Sequence, residues 1–233
     1  IQAKSLPLIL EGKDVIGQAK TGSGKTAAFA LGLLNSVDIS KKNIQSLVLC
    51  PTRELAEQVA NEIRRLARRI DNLKVITLCG GISESIQEKS LQTGVHIAVG
   101  TPGRVFRLLD KESLDLRAMS IFTLDEADRM LDMGFHDDIM KVVAHLPKNR
   151  QTILFSASFP EDIKNLSEGI QKNTHEVKVD TAHVGGEINQ VFYEVLPDQD
   201  KNDLLYRILG KFRPDRMLIF CRTKKESKDV ADF

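Results

Sequence analysis

Six short, nearly uninterrupted apolar runs alternate along this chain with stretches of helical length, and few folds accept that pattern. The runs are Asp14–Ile16, Ser46–Cys50, Val75–Cys79, His96–Val99, Ile121–Leu124 and Thr152–Phe155. Turn-forming or polar residues bound each one, and none shows the strict alternation of a half-wetted strand, so each reads as a strand buried on both faces. Between them, Lys25–Ser36, Arg53–Ile70, Ser83–Gln92, Gly103–Leu109, Asp137–Leu146 and Pro160–Gln171 have helical length and apolar spacing. Strand and helix in turn predict an α/β fold, a mainly parallel sheet covered by helices on both faces. Ligands of such sheets lie beyond the carboxyl ends of the strands, which directs attention to the residues just after each run.

The texture changes after residue 181, where Thr181–Gly186 is small and turn-prone. Residues 1–181 are expected to form one domain, 182–188 a linker, and 189–233 the truncated start of a second domain. In that remainder Gln190–Leu196 and Met217–Cys221 read as strands, and Lys201–Phe212 and Lys224–Phe233 as helices. Two strands and two helices are too few to close an α/β core unaided.

Lys and Arg number 33 against 32 Asp and Glu, a formal charge of +1, so any phosphate site has to be built locally rather than by a basic tail. The longest apolar stretch, Ala27–Leu34, has eight residues with Gly32 counted. A membrane span needs roughly 20, and no membrane association is expected. Three separated cysteines, Cys50, Cys79 and Cys221, form neither a disulfide framework nor a zinc ribbon, and fit a reducing cytoplasm. The five histidines show no zinc spacing. The chain begins with Ile1 and has no signal-peptide pattern, so it is expected to start inside a longer protein.

The strongest chemical signal is Ala19-Lys20-Thr21-Gly22-Ser23-Gly24-Lys25-Thr26, between the first strand and a helix. Glycines there let backbone N–H groups turn inward around phosphate oxygens, and the helix N-terminus adds its positive end. Lys25 would neutralise β- and γ-phosphate charge and the Thr26 hydroxyl would hold Mg²⁺. Ala19 stands where the phosphate-loop pattern has its first glycine, while Gly24-Lys25-Thr26 is intact. A second carboxylate should then wait at the end of another strand, and Ile121–Leu124 delivers Asp125-Glu126-Ala127-Asp128. Asp125 is placed to bind Mg²⁺, directly or through water, and Glu126 to polarise the attacking water as general base. By itself such an acidic run is more often a helix cap.

These two motifs together resemble the DEAD-box family of ATP-dependent RNA helicases. Other motifs of that family follow in its order: Pro51-Thr52-Arg53-Glu54-Leu55-Ala56, Gly80-Gly81, Thr101-Pro102-Gly103-Arg104, Ser156-Ala157-Ser158 and Leu218–Thr223. The resemblance covers essentially the whole chain. It implies a RecA-like P-loop domain followed by the opening of a second RecA-like domain, with ATP and Mg²⁺ bound and RNA as partner. Gln2 falls at the family's adenine-reading glutamine and would select ATP through the base's N6 donor and N7 acceptor. Pro51, Thr52, Arg53, Glu54, Gly80, Gly81, Thr101, Pro102, Gly103 and Arg104 all follow expected strands and would track an RNA backbone without reading bases. Taken singly, these residues also suit strand-to-helix capping and a turn. Asp128, Ser156 and Ser158 would couple ATP state to domain closure, with Ser158 standing where the family has threonine.

Within the family, Leu47–Ala60, Arg64–Arg68 and Thr77–Gly81 are most similar to a bacterial member acting on large-subunit ribosomal RNA, which implies ribosomal RNA maturation. The family's arginine fingers would lie past Phe233, so this chain alone is expected to be a poor enzyme; a monomer is expected. Two other readings stay compatible with the residues: a non-catalytic RNA-binding scaffold that kept the fold, and a P-loop ATPase acting on another substrate. Arg64, Arg65, Arg68 and Arg69, with Glu57 and Glu62 nearby, read as a solvated helix face.

Overall fold

A computed structural model describes residues 1–20, 22–179, 189–196 and 199–232. The chain divides into two compact units, Ile1–Ala182 and His183–Phe233. The linker expected at 182–188 lies outside the described residues.

The first unit is built on seven strands: β1 (Val15–Gln18), β2 (Ser46–Leu49), β3 (Val75–Leu78), β4 (Ile97–Gly100), β5 (Ile121–Leu124), β6 (Gln151–Ser156) and β7 (His175–Lys178). They pair in the order β3-β4-β2-β5-β6-β1-β7, and every pair is parallel. Strands β2, β4, β5 and β6 are buried along their whole length, which explains their continuous apolar runs. Register keeps their carboxyl ends nearly level, with Leu49 opposite both Gly100 and Leu124, and Gln18 opposite Ser156.

Alternation along each strand divides the interior into two cores. One face packs Leu47, Leu49, Phe122, Leu124 and Leu154 against α5 (Pro102–Asp110), α6 (Ala127–Asp132), α7 (His136–Ala144) and α8 (Glu161–Ile170). The other packs Val48, Ile97, Val99, Ile153 and Phe155 against α1 (Gln2–Leu10), α2 (Lys25–Ser36) and α3 (Arg53–Leu66). The remaining helix of this unit, α4 (Glu84–Gln92), follows β3. Both faces are therefore covered, as an all-parallel sheet requires.

Three elements fall outside the expected pattern. Pro7 lies inside α1, α6 is only six residues long, and β7 is an edge strand with Val177 its one buried residue. All three lack the apolar periodicity that announces an element in sequence.

In the second unit α9 (Lys201–Phe212) and α10 (Lys224–Asp232) form with no buried residues. The strands expected at Gln190–Leu196 and Met217–Cys221 are a correction, because none is present among the described residues there. Leu218 and Phe220 are 86% and 92% exposed. Strand propensity becomes a strand only where a neighbouring edge accepts its hydrogen bonds. Among the described residues no helix is long and apolar enough to cross a membrane, and all three cysteines are free thiols.

Gly100 ends β4 so close to its neighbour that a Cβ there would collide with the Leu78 carbonyl, a backbone atom that cannot rotate away. Gly169, inside α8, has open space around it. Urea denaturation should accordingly show Gly100→Ala losing roughly 1–3 kcal/mol and Gly169→Ala gaining up to about 1 kcal/mol. The same sign for both would contradict the packing described.

Candidate active site

Three strand ends build the phosphate site. After β1 the chain turns through Gly22 and Gly24, both in the left-handed region at φ +80° and +84°, and Gly24 caps α2. Ala19 donates its N–H to the Ser156 carbonyl at 3.0 Å, tying the loop to the end of β6. Lys25 begins α2 and is 5% exposed. Lys20 is exposed and Thr26 half-buried, while Thr21 lies outside the described residues.

Buried polar atoms almost always have a partner. Here Ser23 Oγ, Lys25 Nζ and Asp125 Oδ1 are buried and have none among the described residues. A cation, a hydroxyl and a helix N-terminus left unpaired at one loop suit a polyanion. The unpaired carboxylate oxygen beside them suits a cation held jointly with that anion. Mg²⁺ is usually held by one or two carboxylates plus phosphate oxygens and water. Thr26 and Asp125 fit that sparse donor set, and among the described residues no cluster of three or more His, Cys, Asp or Glu offers a richer one.

Asp125 ends β5, its N–H bonded to the Leu49 carbonyl at 3.0 Å. Burial pushes its carboxyl up to about 6, with Lys25 pulling it down and Glu126 pushing it up. Glu126 takes a left-handed backbone, φ +54°, which is costly for a residue with a Cβ. It is 5% exposed and accepts from Arg129 Nη1 at 2.8 Å. Arg129 did not stand out in the sequence. Its i,i+3 spacing from Glu126 was the available signal.

Asp128 bridges β5 to the end of β6. Its Oδ2 accepts from the Ala157 N–H at 3.1 Å, the Ser158 N–H at 2.9 Å and the Ser158 hydroxyl at 3.0 Å. Burial pushes this carboxyl up, but the hydrogen bonds from Ser158 and its neighbours outweigh it and hold the group below its ordinary range. Ser156 Oγ donates to the Ser158 carbonyl at 2.7 Å, completing the bridge.

Gln2 reaches the same loop from α1. Its Nε2 donates to the Gly24 carbonyl at 3.2 Å, and a Cβ on Gly24 would strike it. Helix α1 is positioned by Gln151, whose Nε2 donates to Ile9 and Lys13 carbonyls at 2.9 and 2.7 Å.

Beyond β2, β3 and β4 the other singled-out residues line the same rim. Thr52 Oγ1 caps α3 by accepting from the Leu55 N–H at 3.2 Å. Pro51 is buried, while Arg53 and Glu54 are exposed. Arg53 pairs with Glu57 at 3.2 Å. Gly80 and Gly81 are exposed, and Arg53 Nη1 occupies the space a Gly81 Cβ would take. Thr101 precedes Pro102 and Gly103 in the first turn of α5. Arg104 is half-buried and turns one nitrogen inward, to Ile82 and Gln87. Arg65 pairs with Glu62 at 2.6 Å on α3.

Asp125 predicts a measurable cost. Its pKa of about 6 in the fold against an ordinary 3.8 means that folding favours the protonated form. The carboxylate therefore destabilises the metal-free protein above about pH 6, and that penalty fades as pH falls toward the ordinary value. Asp125→Asn should stabilise the metal-free protein at pH 7.5 by about 1–3 kcal/mol, with the gain shrinking by pH 4.5 in parallel denaturation curves. A less stable variant at pH 7.5 would contradict the burial argument.

The chain is similar to known proteins over this whole arrangement. Residues 1–166 match the DEAD/DEAH box helicase family model. It is 50% identical over 232 residues to the ATP-dependent RNA helicase DbpA of Escherichia coli, covering 100% of this chain and 50% of that protein. It is 43% identical to the DEAD-box ATP-dependent RNA helicase CshA of Streptococcus pneumoniae, over 99% of this chain and 44% of that one. The chain thus spans about half the length of these curated relatives. The crystal structure of a DEAD box protein from Methanococcus jannaschii superposes with a TM-score of 0.73 at 37% identity, covering 98% of this chain and 61% of that one. A hypothetical ATP-dependent RNA helicase from Sulfolobus tokodaii does so with a TM-score of 0.68 at 41% identity, over 76% and 51%. A phosphate loop, an Asp-Glu-Ala-Asp turn and a bridging Ser-Ala-Ser, set on one rim of a RecA-like sheet and matched over so much of the chain, place this protein in the DEAD/DEAH box helicase family.

Proposed function

We propose that this chain binds ATP with Mg²⁺ at the phosphate loop and belongs to an enzyme that hydrolyses ATP to remodel or locally unwind RNA duplexes. The observation that carries the reading is a group of buried polar atoms with no partner among the described residues, Ser23 Oγ, Lys25 Nζ and Asp125 Oδ1, on the rim that also bears the exposed Gly80–Gly81 turn. Lys25 and the N–H groups at the start of α2 neutralise phosphate charge. Thr26 and Asp125 hold Mg²⁺, which when bound draws charge from the β- and γ-phosphates. Glu126, held by Arg129, takes the proton of the attacking water. Gln2, whose Nε2 donates to the Gly24 carbonyl beside the loop, reads adenine through its amide.

RNA lies along the ends of β2, β3 and β4, meeting Thr52, Arg53, Gly80, Gly81 and Thr101–Arg104 through sugar and phosphate. Such contacts are independent of sequence. The Asp128 bridge to Ala157 and Ser158 carries the nucleotide state from β5 to β6. Residues 1–181 form the ATP-binding domain, 182–188 a linker, and 189–233 the opening of a second RecA-like domain. A monomer in a reducing cytoplasm fits free Cys50, Cys79 and Cys221. The identity to DbpA, highest of the relatives named above, supports ribosomal RNA maturation as the setting.

Calorimetry with Mg·ADP tests the site. Lys25→Ala should weaken binding at least tenfold, since a charge-assisted contact to phosphate is lost. Equal affinity would remove the phosphate-loop assignment. Glu126→Gln should keep nucleotide affinity while steady-state phosphate release falls by roughly 10² or more. Unchanged turnover would assign the base to another residue.

A further inference from the structure

Two adjacent glycines are the least organised backbone a chain can offer, yet backbone donors bind an anion well only when they are held in place before it arrives. Gly80 and Gly81 are exposed on the rim, but the carbonyls on both sides of the pair are tied down. Gln87, in α4 and 3% exposed, donates Nε2 to the Cys79 carbonyl at 3.0 Å and to the Thr77 carbonyl at 3.4 Å. On the other side Arg104 Nη1 donates to the Ile82 carbonyl at 3.2 Å. The two anchors are joined, because Arg104 Nη1 also donates to Gln87 Oε1 at 2.8 Å.

A single buried amide therefore links the end of β3, the glycine turn and the first turn of α5. No other group could replace it simply. Both ends of the amide are used, one as donor and one as acceptor, so neither a carboxylate nor an apolar side chain satisfies the site. Gln87 itself lies beneath the rim and is out of reach of a bound strand.

We propose that Gln87 is a positioning residue for RNA binding, holding Gly80–Gly81 and Arg104 in the arrangement that receives the phosphate backbone. The inference rests on the RNA reading of this rim. In it Arg104 Nη1 stitches the turn to α5 while the exposed glycine N–H groups meet the ligand.

The test measures binding of a single-stranded oligouridylate by fluorescence anisotropy in the presence of Mg·ADP-beryllium fluoride. Amide hydrogen exchange over residues 80–83 and nucleotide affinity are followed alongside. Gln87→Leu should weaken RNA binding roughly tenfold, the effect of losing about one to two net hydrogen bonds. Exchange over 80–83 should accelerate while nucleotide affinity stays within about twofold, a factor equivalent to well under one hydrogen bond. Gln87→Glu, which still accepts from Arg104 but cannot donate to Cys79, should behave in the same direction, and it carries the test if the leucine variant fails to fold. Wild-type RNA affinity and exchange in the variants would overturn the proposal. So would a joint loss of RNA and nucleotide affinity in both, which would make Gln87 a general structural stitch. Absence of RNA binding by the wild-type protein with nucleotide bound would instead overturn the RNA reading of the rim, and the proposal with it.

Discussion

All-parallel pairing is the constraint from which the rest of the first unit follows. With every strand running the same way, every strand-to-helix turn falls on one rim. Six turns of chemically distinct sequence, those after β1 to β6, then sit side by side although they are far apart along the chain. Strand β6 lies between β1 and β5, so the Ser156–Ser158 turn stands between the phosphate loop and the acidic turn and bonds to both: Ala19 on one side, Asp128 on the other. The order of the sheet thereby lets Ser156-Ala157-Ser158 join the two turns by hydrogen bonds.

The opposite rim carries a satisfied buried polar network beside two buried atoms with no partner among the described residues, Ser46 Oγ and Arg150 Nε. There Asp14 accepts from the Thr152 and Lys172 N–H groups at 2.7 and 2.6 Å, and Gln171 donates to the Val15 and Thr152 carbonyls at 3.0 and 2.9 Å. Those groups are satisfied and hold strands and helices together. On the carboxyl-end rim Lys25 Nζ and Asp125 Oδ1 are desolvated with no such partner among the described residues, and Glu126 occupies a left-handed backbone. Each feature costs stability, and two continuous cores on either side of the sheet offset that cost. Under the proposed function, such preorganised groups are what electrostatic catalysis asks for.

Local information was legible in the sequence and non-local information was not. The phosphate loop and the acidic turn are contiguous strings whose chemistry follows from spacing. Buried strands such as Ile121–Leu124 declare themselves by unbroken apolar runs. Gln190–Leu196 and Met217–Cys221 have comparable composition, but strand formation depends on an edge that composition does not supply. Helix α1 stayed hidden because its burial is slight, with only Ser5 and Ile9 buried, and its position depends on Gln151 far along the chain. Gln87 stayed hidden for the same reason. A glutamine in an amphipathic helix looks solvent-facing until α4 is seen to turn it under the glycine turn.

Under the proposed function, one rim of the sheet receives both nucleotide and RNA. Backbone amide chemical-shift mapping on the isotopically labelled chain tests it most directly, adding Mg·nucleotide first and single-stranded RNA second. Nucleotide should move signals of Gly22–Thr26, Asp125–Asp128 and Ser156–Ser158, and RNA those of Thr52–Glu54, Gly80–Ile82 and Thr101–Arg104. Shifts centred instead on the far rim, around Asp14, Gln45 and Thr152, would contradict the account.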